Sequence, residues 1–417
     1  MENLPIIVVG GGISGLIAAE KLAENNVKVI LFEQGAQLGG LAKSLYYKQK
    51  WLPITYHHIM AVDDYSYKWL KKYGLTEDIN WKKVYMGFWY DFKPYLLTLP
   101  HHIAFFSPLS IIARLKLIKL GLYTLLKKRL SLENISAEEW LNKSYGKDIV
   151  KNLFKPLAEI KFGELSSVSA SWLASRLHEA VRTREKYAHF PCKSFIDKIS
   201  KNITKNGGRV YLNTEVCEIK GNKIEISLNG KKKKFIAKKI ISAIPPPKLA
   251  KILDIEDNIK KQLQTVGYIP VISAMVSCKD LFLKSYWNIF IKPKLSFGGI
   301  FSHSFICPDL IKGEHIYYIF TYMQPTNPLY NQSKKTIKDA YLRDIKKINP
   351  NINIKFLNIS KIKHASPVFC LDYKNLPIKL SQYLYLTGVY KEYPTTRTIN
   401  SAIKSGLKTA DHILNEK

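Results

Sequence analysis

Residues 5–40 read PIIVVGGGISGLIAAEKLAENNVKVILFEQGAQLGG, and the fold turns on how this run divides. An apolar stretch enters a glycine cluster, apolar residues then recur at helical spacing, and VKVILF forms a second strand that ends at Glu33. That is a βαβ unit. Gly10, Gly12 and Gly15, with Ile13 and Ser14 before the last of them, satisfy G-x-G-x-x-G directly after a strand and at the opening of a helix. The first glycine permits the tight turn, the second lets backbone approach a pyrophosphate, and the third lets helix pack on strand. The helix N-terminus then faces the phosphates. Glu33 follows Gly15 by 18 residues, where a carboxylate accepts both ribose hydroxyls and repels a 2′-phosphate.

After Glu33 the chain gives Gln34 to Leu38 and then a second glycine pair, Gly39-Gly40. Two residues without side chains beside the pyrophosphate let a longer cofactor, such as FAD, lie against the backbone on its way to the flavin. The pair therefore moves the expectation from NAD to FAD.

Composition sets the outer bounds. A chain of 417 residues with 46% hydrophobic and 23% charged residues is globular and long enough for two or three domain-sized units. The formal charge of +31 invites a nucleic-acid or membrane partner, but only 8 of the 64 basic residues are Arg and the Lys are spread along the whole chain. Arg is the residue suited to bidentate phosphate contacts, so no nucleic-acid partner is expected. Five cysteines without a C-x-x-C, and ten histidines without ligand spacing, predict neither a disulfide framework nor a metal site. The N-terminus enters a strand at once and no stretch is long enough to span a bilayer, which predicts a cytoplasmic protein.

The texture changes near residue 50 to aromatic, Lys-rich segments with helical patches, and a long helix is expected from Pro108 to Leu130. Strand signals return in RVYLNTEVCEIK and KIEISLNGKKKKFIAKKIISAIPP, with Asn229-Gly230 as a hairpin turn. A second aromatic region covers about 266–360, and the chain closes with a strand, a loop and a terminal helix. The prediction is an α/β protein: a doubly wound FAD-binding Rossmann-like domain (1–50, 190–265 and 361–417) interleaved with an α+β substrate domain (51–189 and 266–360).

The run from the glycine turn to Gly39-Gly40 resembles the FAD-binding signature of the flavin amine oxidase, protoporphyrinogen oxidase and phytoene desaturase superfamily. GGRVYLNTEVCEI looks like the strand whose Val, here Val216, contacts adenine through its backbone. YLTGVY and TINSAIKSGLKTADHIL resemble the C-terminal flavin-binding strand and helix. TYHHIM, FKPLAEIKFG, SASWLASRL, SYWNIF, IFSHSF and YPTTRTIN are similar to an uncharacterised protoporphyrinogen-oxidase-like branch. The resemblance implies FAD contacts from Gly388, Val389, Arg397, Thr398 and Ile399 as well as from the N-terminal run. Three departures stand out: Leu41 where many members have Arg, Val389 where many have Asp, and Pro191-Cys192-Lys193-Ser194 in place of a glycine pair. With no Cys in the C-terminal flavin segment, non-covalent FAD is expected.

FAD-dependent oxidation of a C–N or C–C bond in an apolar or amphiphilic small molecule follows from the resemblance. His303 and His58 are the candidates to orient or deprotonate substrate, with His57 beside them and Arg397 as a holder of a phosphate or an acidic group. Two other readings remain open: a non-redox isomerase or mutase acting on a polyprenyl or nucleotide-sugar substrate, and a membrane-associated binding protein with structural FAD. Residues 106–130, rich in Leu and Ile and studded with Arg114, Lys116, Lys119, Lys127, Lys128 and Arg129, read as a basic amphipathic helix for peripheral contact with an anionic membrane. The oligomeric state is left open.

Overall fold

Ile6–Val9, Ile13–Glu24 and Val29–Phe32 form strand, helix and strand, and the two strands pair in parallel. The computed structural model describes residues 4–77, 79–126, 132, 134–183, 186–323 and 326–416. Three later strands join the first two in one parallel sheet, in the order Arg209–Tyr211, Val29–Phe32, Ile6–Val9, Lys239–Ser242, Leu384–Leu386. Strand alternation sorts their side chains between two cores. Ile6, Val8, Val29, Leu31 and Ile241 pack with helices Ile13–Glu24, Cys192–Lys205 and Ile399–Leu414. Ile7, Val9, Phe32 and Ile240 face the other way, onto Val216, Ile219, Ile224 and Ile226. Each such buried side chain contributes about 1.5–3 kcal/mol, so both faces must be covered. The second cover is an antiparallel meander, Thr214–Lys220, Lys223–Leu228 and Lys231–Ile236, rather than further helices.

The segment RVYLNTEVCEIK, which reads as one strand, is two. Asn213 takes a positive φ of 50° and turns the chain out of the parallel sheet into the meander. The hairpin forms where expected, with φ of 51° at Asn229 and 77° at Gly230, and Lys231–Lys234 stand exposed on the returning strand.

A seven-stranded sheet forms the second layer, in the order Ile354–Pro367, Tyr268–Cys278, His315–Tyr322, Gly299–Ser302, Trp287–Phe290, Met86–Tyr90, Lys93–Leu96. Helix Lys334–Ile348 covers it with Ile337, Tyr341 and Ile345. Its first strand stays in this sheet through Pro367, so the boundary expected at 361 falls inside a strand and the chain returns to the parallel sheet only afterwards. Helices Ile111–Leu126, Ala137–Tyr145, Lys155–Lys161 and Ala170–Arg182 pack on the other face of the seven-stranded sheet, in the core that also holds Val216 and Ile219. The helix expected over 108–130 begins at Ile111 and is described to Leu126. Residues 127–131, with Lys127, Lys128 and Arg129, lie outside the described residues.

Candidate active site

The strand order places a topological switch between Ile6–Val9 and Lys239–Ser242, because the chain leaves these neighbours toward opposite edges of the sheet. Ligands of open α/β sheets bind at the carboxyl ends of strands at such a point. Here a cavity of about 960 Å³ opens there, and Gly10, Glu33, Ala243 and Gly388 line it just past the ends of four parallel strands. The volume lies at the upper end of the roughly 300–1,000 Å³ usual for small-molecule and cofactor sites.

One end of the cavity is built from backbone. The Glu33 carboxylate accepts the Gly11 N–H on Oε2 and the Gly35 N–H on Oε1, each at 2.8 Å, so its position is fixed from both sides. Gly39 donates its N–H to the Gly11 carbonyl at 2.7 Å, docking the second glycine pair against the first turn. Gly39 has a φ of 107°, and a Cβ there would come within 2.5 Å of Ile196 Cδ1. Gly12 differs, since a Cβ at its site meets no atom within 4 Å and would project into the cavity. The N-termini of helices Ile13–Glu24 and Ile399–Leu414 both open on this space, bringing Ile13, Ser14, Thr398 and Ile399 to its wall. Free backbone N–H groups and helix dipoles favour a phosphate there. A cradle kept clear of side chains, a fixed carboxylate and two helix N-termini fit the pyrophosphate and ribose of FAD.

The other predicted cofactor residues divide. Gly10, Gln34, Gly40, Leu41, Val389 and Arg397 also line the cavity. Gly15 lies beneath the turn, where a Cβ would come within 2.2 Å of the Gly10 carbonyl oxygen, so its role is close packing. Val216 is buried in the meander and is not part of the cavity wall. Leu41, which stands where an Arg is common, keeps its side chain 40% exposed, while its carbonyl accepts from Thr55 Oγ1 at 3.2 Å and lies 3.0 Å from His57 Nε2.

The opposite end is built from side chains. Lys161 holds its Nζ 3.7 Å from the centroid of the Trp287 ring, and the Arg176 guanidinium lies 5.8 Å from the same ring. Arg397 stacks 4.6 Å from the Trp172 centroid and donates to the Pro367 carbonyl. Among the described residues no carboxylate lies within salt-bridge distance of these three cations. Burial, then the Arg176 and Arg397 charges, hold the Lys161 ammonium well below the ordinary lysine range. Burial also pushes Arg397 down to about 10. Like charges gathered away from bulk water repel more strongly than in it, so such a cluster is costly without a counter-charge. Tyr56 and Tyr322 complete the wall, their hydroxyls 2.9 Å apart.

The histidines separate in the same way. His58 lines the cavity with its Nδ1 2.9 Å from the Tyr286 hydroxyl. Burial, then the Arg176, His57 and Lys161 charges, push it down to about 3, so it is neutral at ordinary pH. His57 also lines the cavity, and burial lowers it. His303 does not reach the cavity wall: it sits fully buried on a short turn after strand Gly299–Ser302, with its Nε2 3.0 Å from His189 Nδ1. Among the described residues no group of three His, Cys, Asp or Glu side chains is placed to hold a metal ion.

Lys161, Arg176, Trp172 and Trp287 are site residues that residue-by-residue reading missed. All four lie within FKPLAEIKFG, SASWLASRL and SYWNIF. Those segments stand out as motifs, but their separation along the chain conceals that they meet.

Comparison with known proteins agrees with this geometry. The chain superposes over its whole length on a provisionally assigned protoporphyrinogen oxidase from Exiguobacterium sp. 255-15, with a TM-score of 0.79, 16% identity and 100% of both chains covered. A reduced UDP-galactopyranose mutase gives a TM-score of 0.78 at 15% identity, covering 99% of this chain and 96% of the other. A putrescine oxidase bound to putrescine gives 0.72 at 13% identity, covering 99% of both. At these identities the likeness is one of fold. No curated protein sequence matches. The family model described as flavin containing amine oxidoreductase matches residues 13–414, and the chain therefore belongs to that family, with FAD as its cofactor.

Proposed function

We propose that this FAD-dependent oxidoreductase oxidises a C–N or C–C single bond of an apolar or amphiphilic small molecule, a hydride leaving from its carbon and a proton from the neighbouring atom. The observation that carries the reading is a single cavity joining a backbone cradle for the nucleotide to an aromatic, side-chain-built chamber. Bound flavin supplies the hydride acceptor, and oxygen or another acceptor restores it. The protein's part is to orient the substrate over the aromatic wall and exclude water. His58, neutral at the wall and 2.9 Å from the Tyr286 hydroxyl, orients the substrate, and the proton left on the substrate passes to bulk water. His303, buried beyond the wall, can act only through its neighbours, as a positioning group for His189.

The test is anaerobic mixing of the FAD-loaded protein with panels of apolar and amphiphilic compounds. The expected result is a compound that bleaches the flavin and is recovered oxidised by two electrons. Rearranged product without net oxidation would assign a mutase or isomerase instead. A flavin that no compound bleaches would leave FAD a structural role.

A second feature supports access from a membrane. Helix Ile111–Leu126 buries Ala113, Leu117, Leu120 and Thr124 and turns Ile111, Ile112, Leu115, Leu122 and Leu126 outward, 55–82% exposed. Phe105, 80% exposed, precedes this helix in the chain, and Lys116 and Lys119 are exposed on it. An apolar face flanked by Lys suits the interface of an anionic bilayer. Arg114 is committed to the Leu109 and Ala104 carbonyls instead. No helix among the described residues is long and apolar enough to cross a membrane.

A further inference from the structure

The inner end of the cavity gathers three cations on separate elements. Lys161 ends helix Lys155–Lys161, Arg176 lies within helix Ala170–Arg182, and Arg397 precedes the terminal helix. The carboxylates nearest in the fold are spoken for. Glu179, one turn beyond Arg176, accepts from the Thr396 N–H and hydroxyl, and Asp63 accepts from the Met60 N–H at 2.8 Å. What the cations do meet is aromatic faces, those of Trp287 and Trp172. The indole N–H groups of Trp287 and Trp172, residues 6% and 2% exposed, have no acceptor among the described residues. Donors and positive charge are thus in excess around one chamber, where the Pro367 carbonyl is the one acceptor seen bonded to these cations among the described residues. The nucleotide end already has its own phosphate devices in the glycine backbone and two helix N-termini, so the cofactor does not explain the excess.

We infer that Lys161, Arg176 and Arg397 bind an anionic group of the substrate, a carboxylate or a phosphate, at the inner end of the cavity. The inference rests on the reading of this cavity as a flavin site and narrows its substrate. An ammonium would meet two guanidinium charges and Lys161, and among the described residues no carboxylate within salt-bridge distance of them, so a simple amine is disfavoured here despite the family's description. A planar guanidinium such as that of Arg176 offers paired N–H donors that match either a carboxylate or a phosphate. A compound with an apolar body over the tryptophans and tyrosines and an acidic group against the cations is amphiphilic.

The experiment titrates FAD-loaded protein at constant ionic strength with inorganic phosphate, succinate and putrescine. Flavin difference absorbance and tryptophan fluorescence report binding. Phosphate or succinate is expected to saturate both signals and putrescine neither, and the preferred anion identifies the group. Arg176→Gln and Lys161→Met are expected to weaken anion binding by about tenfold or more, as loss of a charged hydrogen bond does, with FAD content and melting temperature retained. Arg176→Lys, which keeps the charge and loses the paired donors, should bind the anion better than Arg176→Gln and less well than the parent. Saturation by putrescine, no saturation by either anion, or variants that bind like the parent would overturn the inference. So would loss of FAD in Arg176→Gln and Lys161→Met, which would assign the cations to the cofactor. Should the protein take up no FAD, the function proposed above fails, and calorimetric titration of the same anions onto it still decides this inference separately.

Discussion

The two ends of the cavity are made in different ways. At the nucleotide end, the wall is mostly main chain: a glycine turn, a docked glycine pair, helix N-termini and one carboxylate clamped by two N–H groups. At the inner end it is made of side chains on segments far apart in sequence, with Tyr56, Lys161, Arg176, Trp287, Tyr322 and Arg397 meeting there. A backbone site tolerates no side chain where a ligand passes and depends little on which residues surround it. A side-chain site can be rebuilt by single substitutions. Within one fold, the first end is thus suited to a constant cofactor and the second to a changing substrate.

The sharpest way to break this contrast is Gly12→Val. Its φ of −71° suits any residue and its Cβ would touch no protein atom, so the fold should survive while the cofactor path is blocked. FAD affinity should fall about a hundredfold or more, equivalent to about 2.7 kcal/mol, with the melting temperature of the FAD-free protein unchanged. Equilibrium titration of FAD checks this, and unchanged affinity would show that the cofactor does not pass over Gly12.

A smaller effect tests how dry the inner end is. His58 and His189 titrate near 3 and 4 in the fold against an ordinary 6.5, because burial disfavours their charged forms. Between those values the unfolded chain binds protons that the folded chain refuses. These two histidines therefore withdraw stability as pH falls below about 6.5, by at most about 1.4 kcal/mol per pH unit each, while Asp63, raised by burial to about 7, contributes in the opposite sense. Chemical denaturation at a series of pH values should show this contribution, and His58→Gln with His189→Gln should make the slope less steep, with His57 and His303, also lowered by burial, supplying the rest. A parental slope that survives both substitutions would mean the histidines already charge in the fold.

The smallest stability change is expected far from both ends. Leu115→Glu with Leu122→Glu, on the exposed face of helix Ile111–Leu126, should alter stability by no more than about 0.5 kcal/mol. The same pair should lower sedimentation with anionic vesicles. Equal sedimentation of parent and variant would remove the membrane reading.

The contrast also explains what the sequence could tell. Gly10, Gly12, Gly15, Glu33 and Gly39-Gly40 act through contiguous backbone, so their spacing records their geometry, and the parallel sheet and its cradle were legible. The Asn229-Gly230 turn was readable for the same local reason. Lys161 and Arg176 carry no such signature, because a lysine at a helix end and an arginine within a helix look alike whether they face solvent or a cavity. His303 shows the converse: its motif singles it out, and the turn after strand Gly299–Ser302 buries it behind the wall. Val216 likewise follows the expected strand, while Asn213 turns that strand into a separate layer.

The most direct test of the central claim is the visible spectrum and flavin content of the purified protein, before and after incubation with FAD. The prediction is about one FAD per chain with flavin absorbance bands, released on denaturation because no cysteine lines the cavity. A colourless protein that takes up no added FAD would contradict the account.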